Sequence, residues 1–110
     1  VNLLLAALMD KPSMRTFEGG PNGRRDACCV VCGTPGVTGH HLVPRSQGGL
    51  HGPVWDLCGH GTAGCHGLAE DKRLHPRWND GWEYLLTDVP TKYEIALDMD
   101  GWAPCDRAAL

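Results

Sequence analysis

Six cysteines in a chain with a single phenylalanine restrict the fold more than any other feature. Cys29-Val30-Val31-Cys32 sets two thiols two residues apart, and Cys58 and Cys65 form a wider pair in Leu57-Cys58-Gly59-His60-Gly61-Thr62-Ala63-Gly64-Cys65-His66. At 110 residues the chain is one domain by the usual prior, with a thin core of the kind that needs a staple. Two such pairs close a tetrahedral site of four thiolates, each ~2.3 Å from a zinc ion. That reading is favoured over two disulfides or buried free thiols. Glycines at 59, 61 and 64 let the wider loop fold back so that its own amides face the sulfurs. Only Cys29 gives the two-residue gap to Cys32, so the adjoining Cys28 is read, like Cys105, as a free thiol.

Compartment and partners follow from the ends and the charge. Val1-Asn2-Leu3-Leu4-Leu5-Ala6-Ala7-Leu8 is apolar but far short of a membrane span and has no basic residues before it. It reads as a short helix or docking segment, because Met9-Asp10-Lys11-Pro12 makes a poor cleavage site for a signal peptide. No membrane association is expected. A cytoplasmic, reducing location is, and there cysteines bind metal more often than they oxidise. The net charge of -3 argues against a basic arm that coats nucleic acid, so contact with a polyanion must come from local clustering.

The histidines supply the second signal. In Gly39-His40-His41-Leu42-Val43-Pro44-Arg45-Ser46-Gln47-Gly48-Gly49 two imidazoles are adjacent, and on a strand they point to opposite faces and take different jobs. His66 follows the last cysteine, on the first turn of a helix expected to run to Lys72. A strand carrying a histidine and leaving one cysteine pair, packed on a helix that starts at the other, brings two imidazoles together beside the zinc but outside it. Such a site has few protein ligands and open positions, as metal-assisted phosphodiester hydrolysis requires. The other histidine is then free to take a proton from water.

These residues, 40–49 together with 57–67, resemble the HNH endonucleases of the ββα-metal fold, in the small phage and bacterial form with a four-cysteine zinc site. The resemblance covers residues 28–75. It implies metal-dependent cleavage of DNA, with His40 and His66 as ligands of a catalytic divalent ion (Mg²⁺, Mn²⁺, Ni²⁺ or Zn²⁺), His41 as general base, and Cys29, Cys32, Cys58 and Cys65 on the structural Zn²⁺. The family's middle asparagine has no counterpart in Gly52-Pro53-Val54-Trp55-Asp56-Leu57; Asp56 is the nearest polar substitute, able to orient His41 or pin the loop by accepting a hydrogen bond. His51 is a second, weaker substitute. The expected architecture is α+β: a small zinc-stapled ββα-metal domain at 28–77, an N-terminal extension and linker at 1–27, and a C-terminal extension at 78–110, both extensions irregular.

Other residues are weighed on their own chemistry. Arg45 is placed to grip phosphate bidentately, and Lys72, Arg73 and Arg77 join it in a candidate basic patch, against the plainer reading of solvated charge. Glu70, four residues after His66, shares its helix face and is either a third ligand or a solvated side chain. His60 reads as exposed, and His75 as an outlying ligand candidate. Thr91 and Glu94 mark a capping box opening a helix to Met99. Trp78, Trp82, Tyr84 and Trp102 are core, or else the interface of a regulatory or inhibitory protein that binds a larger phage or host partner. A catalytically degenerate zinc module that only binds nucleic acid is the other competing reading.

Overall fold

The computed structural model describes residues 3–14 and 24–105. The linker reading for 15–23 therefore lies outside the described residues. The chain is α+β, with two three-stranded antiparallel sheets and three short helices. The first sheet, ordered β1-β2-β3, comprises β1 (Arg24–Cys28), β2 (Pro35–His41) and β3 (Val54–Cys58). The second, ordered β4-β5-β6, comprises β4 (Leu74–Trp78), β5 (Trp82–Leu86) and β6 (Ala103–Pro104). Helix α1 (Leu3–Ala6) precedes both sheets, α2 (Gly64–Glu70) joins them and packs against β2, β3 and β4, and α3 (Tyr93–Leu97) lies against β4.

Residues 78–105 are thus not irregular throughout, since they carry β5, α3 and β6, and a boundary after residue 77 falls inside β4. Asn79-Asp80-Gly81 is the turn of a hairpin in which Trp78 pairs with Trp82; Asn79 N–H donates to the Gly81 carbonyl, and Asp80 and Gly81 both take positive φ. Pro76 has no N–H to give a ladder, and β4 accommodates it by lying at the sheet edge. The linker reading also runs too long, since β1 begins at Arg24.

The two sheets share one core. Trp55 of β3 and Trp82 of β5 are both buried and meet edge to face with ring centroids 5.5 Å apart, a favoured quadrupole arrangement. Trp82 Nε1 donates to the Pro12 carbonyl at 2.7 Å, so the N-terminal segment is tied to the second sheet. Leu8 is buried against the same cluster, and the apolar start carries a short helix, Leu3–Ala6, whose Leu3 is exposed. Of the four aromatics weighed between core and interface, Trp82 is core, Tyr84 and Trp102 are partly buried, and Trp78 is exposed along one edge.

Helix α2 ends in a Schellman motif: Lys72 N–H donates to the Ala69 carbonyl and Arg73 N–H to that of Leu68, with Lys72 at φ 61°. This reversal delivers the chain into β4. It also stops the helix at Glu70 rather than Lys72. At α3 the expected capping box does not form: Thr91 Oγ1 donates to the Val89 carbonyl, and the cap position is Lys92, without a side-chain cap. Among the described residues no helix is long and apolar enough to cross a membrane.

His75 is buried in β4, packed against the Tyr93 ring. Burial lowers its pKa below 6.5, outweighing a hydrogen bond to the Lys72 backbone that acts the other way. Its neutral form therefore contributes stability that is complete above pH ~6.5 and is lost as pH falls through the lowered folded value. Urea unfolding of the wild type and His75→Phe at pH 7.5 and pH 5 should show the wild type losing more stability than the variant. Parallel losses would remove His75 as a source of acid sensitivity.

Candidate metal centres

The four cysteines of the two pairs converge. The Cys29, Cys32, Cys58 and Cys65 sulfurs all lie within 4.8 Å of one another, and Cys32 and Cys58 are 3.6 Å apart. Four sulfurs placed tetrahedrally at ~2.3 Å from a metal stand about 3.8 Å from each other, so little adjustment separates this group from a closed site. None of the six cysteines forms a disulfide. Cys105 stays apart from the group, its thiol pushed up to about 12 by burial.

Local backbone geometry builds the cluster. The first pair is closed by a turn in which Cys29 N–H donates to the Thr34 carbonyl and Gly33 N–H to that of Cys29. Val31 N–H points at Cys29 Sγ (3.4 Å) and Cys65 N–H at Cys58 Sγ (3.3 Å), so amides do face the sulfurs. Gly59 makes the wider loop possible: its φ is 81°, and an added Cβ would lie 2.1 Å from the Ala63 carbonyl oxygen. A hydrogen bond from the Cys65 thiol, with further bonds from backbone groups, pulls Cys29 down to about 4. The same contact, with burial and the neighbouring sulfurs, pushes Cys65 up.

Beside this cluster stands a second one. His40 Nδ1 and His66 Nε2 lie 3.3 and 3.4 Å from Glu70 Oε1, and the three donor atoms fall within 4.8 Å of each other. The imidazoles are largely buried and meet edge to face at 5.1 Å, while Glu70 is half exposed. His40 Nδ1 is buried without a directed hydrogen bond, and desolvation, partly offset by Glu70, lowers its pKa to about 4. A buried imidazole nitrogen without a directed hydrogen bond, a second imidazole and a carboxylate form a donor set that suits a divalent ion with positions left open. Glu70, weighed in the sequence as ligand or solvated residue, sits with the two histidines.

His41 is held separately. Its Nδ1 is 3.2 Å from the Gly49 carbonyl, which can only accept, so the proton sits on Nδ1 and Nε2 carries the lone pair. Arg45 Nη2 approaches that Nε2 at 3.3 Å. The carbonyl reaches His41 because Gly49 is buried against the chain, where a Cβ would fall 1.6 Å from the Val43 carbonyl oxygen. Gly49 is therefore a steric requirement of the site, while Gly48, at φ 87° with open space around it, serves the backbone turn alone. Both ring nitrogens of His41 are thus occupied without Asp56, and the orienting role expected of Asp56 belongs to Gly49. Asp56 is fully buried in β3, opposite Gly39, and its backbone carbonyl accepts from Val30 N–H.

His40, His41 and Glu70 line one end of a cleft of about 480 Å³ whose other walls include Lys72, His75 and Tyr93. His75 belongs to this wall, away from the donor cluster. The expected basic patch is thinner than its sequence: Arg73 pairs with Asp71 at 2.8 Å, and Arg77 pairs with Glu83 at 2.6 Å and lies over the Trp102 ring. Arg45 and Lys72 remain beside the cleft. His51 is exposed, and so is His60, whose Nδ1 accepts from Thr62.

Comparison with protein-family models, with curated proteins and with solved structures finds no match for this chain.

If the thiolate cluster binds zinc, the purified protein carries one tightly held zinc per chain. Cys58→Ala should then unfold or aggregate, because the binding free energy, apparently ~10–16 kcal/mol for small zinc domains, is also folding free energy. Elemental analysis finding a folded, zinc-free wild type would refute the staple.

Proposed function

We propose that the protein is a metal-dependent endonuclease of the HNH type that hydrolyses DNA phosphodiester bonds. The reading is carried by one observation: a histidine with its lone pair set on Nε2 lines the same cleft as His40 and Glu70, two of the three members of an imidazole–imidazole–carboxylate donor set. Support also comes from the order of elements, since β2, β3 and α2 follow each other as a hairpin and a helix packed on it, the arrangement of a ββα-metal motif.

In this reading His41 Nε2 takes a proton from the attacking water, and the Gly49 carbonyl stabilises the imidazolium that results. His40, His66 and Glu70 hold a divalent ion, which when bound polarises a phosphoryl oxygen and stabilises the leaving 3′ oxygen. Arg45 turns from His41 Nε2 to a phosphate oxygen, which both positions the substrate and frees the base. Lys72 offers a further cation along the cleft. Target choice falls to a larger phage or host partner, because among the described residues Arg73 and Arg77 are already paired with carboxylates.

The approach of Arg45 to His41 also favours a second reading, a catalytically quiet module that binds nucleic acid or a regulatory partner, since in this geometry the guanidinium covers the base. Supercoiled plasmid separates the two. A nuclease nicks it with Mg²⁺, Mn²⁺ or Ni²⁺ and stops on adding EDTA, while a quiet module binds without nicking.

His41→Ala should keep divalent-ion binding and lose ~10²–10⁴-fold in nicking rate, the usual contribution of a positioned base. His40→Ala should lose the second ion as well. Calorimetric titration of Mn²⁺ beside the nicking assay reads both, and undiminished nicking by His41→Ala would end this assignment.

A further inference from the structure

Between the two metal centres stands Thr38, a residue that belongs to neither. It lies on β2, paired with Leu57 of β3, two residues before His40 on the same face of the sheet. Its Oγ1 is 2.9 Å from the Gly59 carbonyl in the wide cysteine loop and is also hydrogen-bonded to His66 Nδ1. A hydroxyl has one proton. The carbonyl can only accept, so Thr38 spends that proton on Gly59 and must accept from His66. His66 then carries its proton on Nδ1, and its Nε2 lone pair is the atom near Glu70 and His40.

We infer that Thr38 is a positioning residue that fixes the tautomer of His66, so that the cysteine loop, through the Gly59 carbonyl, sets the readiness of the second centre to bind metal. This rests on the reading of His40, His66 and Glu70 as metal donors. Groups that orient a ligating imidazole are typically worth ~10–100-fold in metal affinity. Here the orienting hydroxyl is anchored to the loop of the other metal centre, which couples the two sites: an assembled thiolate site favours loading of the imidazole site, and the reverse holds by the same factor.

The test compares wild type, Thr38→Val, Thr38→Ala and Thr38→Ser, each verified by elemental analysis to hold one zinc. Nitrogen-15 imidazole spectra without added second metal should show His66 as the Nδ1–H tautomer in wild type and Thr38→Ser, and as a mixture in Thr38→Val and Thr38→Ala. Mn²⁺ affinity should fall ~10–100-fold in Val and Ala and recover in Ser. An unchanged His66 tautomer in Val and Ala, or unchanged Mn²⁺ affinity there, overturns the assignment. The two readouts fail separately: a wild type that binds no Mn²⁺ defeats the proposed function, and the tautomer spectra alone then decide the role of Thr38.

Discussion

The convergence of four sulfurs is the constraint on which the rest of the molecule depends. Cys29 and Cys32 sit between β1 and β2, Cys58 ends β3, and Cys65 lies in the first turn of α2. One cluster therefore sits where four elements begin or end. Such a small chain buries few large side chains, and its packing between the sheets relies on the Trp55–Trp82 contact. Drawing the sulfurs together fixes the angle at which α2 meets β2 and β3, and that angle brings His66 and Glu70 to His40. The second centre is thus a product of the first.

Polar contacts refine what the sulfurs assemble. His66 and His41 are each set by an oxygen that leaves them no choice of tautomer: a hydroxyl already committed to Gly59, and the carbonyl of a glycine pressed on the backbone of Val43. The first oxygen stands on β2 and is committed by the cysteine loop, and the second belongs to a loop held by sterics. The result is two imidazoles with Nε2 available, one toward a carboxylate and one toward an arginine.

Residues whose chemistry is local were legible in the sequence. The two-residue gap from Cys29 to Cys32 and the glycines of the wider loop announced the sulfur cluster, and the adjacency of His40 and His41 announced that the two rings meet different partners. Thr38 was not legible, because a threonine in a strand has an ordinary reason to be there and its partners lie far along the chain. Glu70 was visible only as a possibility of helical spacing. The second sheet was hidden by Pro76, which breaks a strand pattern everywhere except at an edge, and by a Trp-Asn-Asp-Gly-Trp turn that reads as loop until its two tryptophans are seen to pair. The burial of Asp56 was hidden for a different reason: alternation alone does not say which face of β3 is covered.

The placement of the cysteines also bears on the order in which the chain can fold. β2 and β3 are separated by residues 42–53, which contain only two single 3₁₀ turns, so the hairpin must close a long loop before its ladder repays the entropy. The sulfurs bracket that hairpin. Once they are bridged, the diffusive search for the β2–β3 register is confined to strands whose outer ends are already tethered. A metal ion would then act on the unfolded ensemble as well as on the native state, converting a distant pairing into a near one.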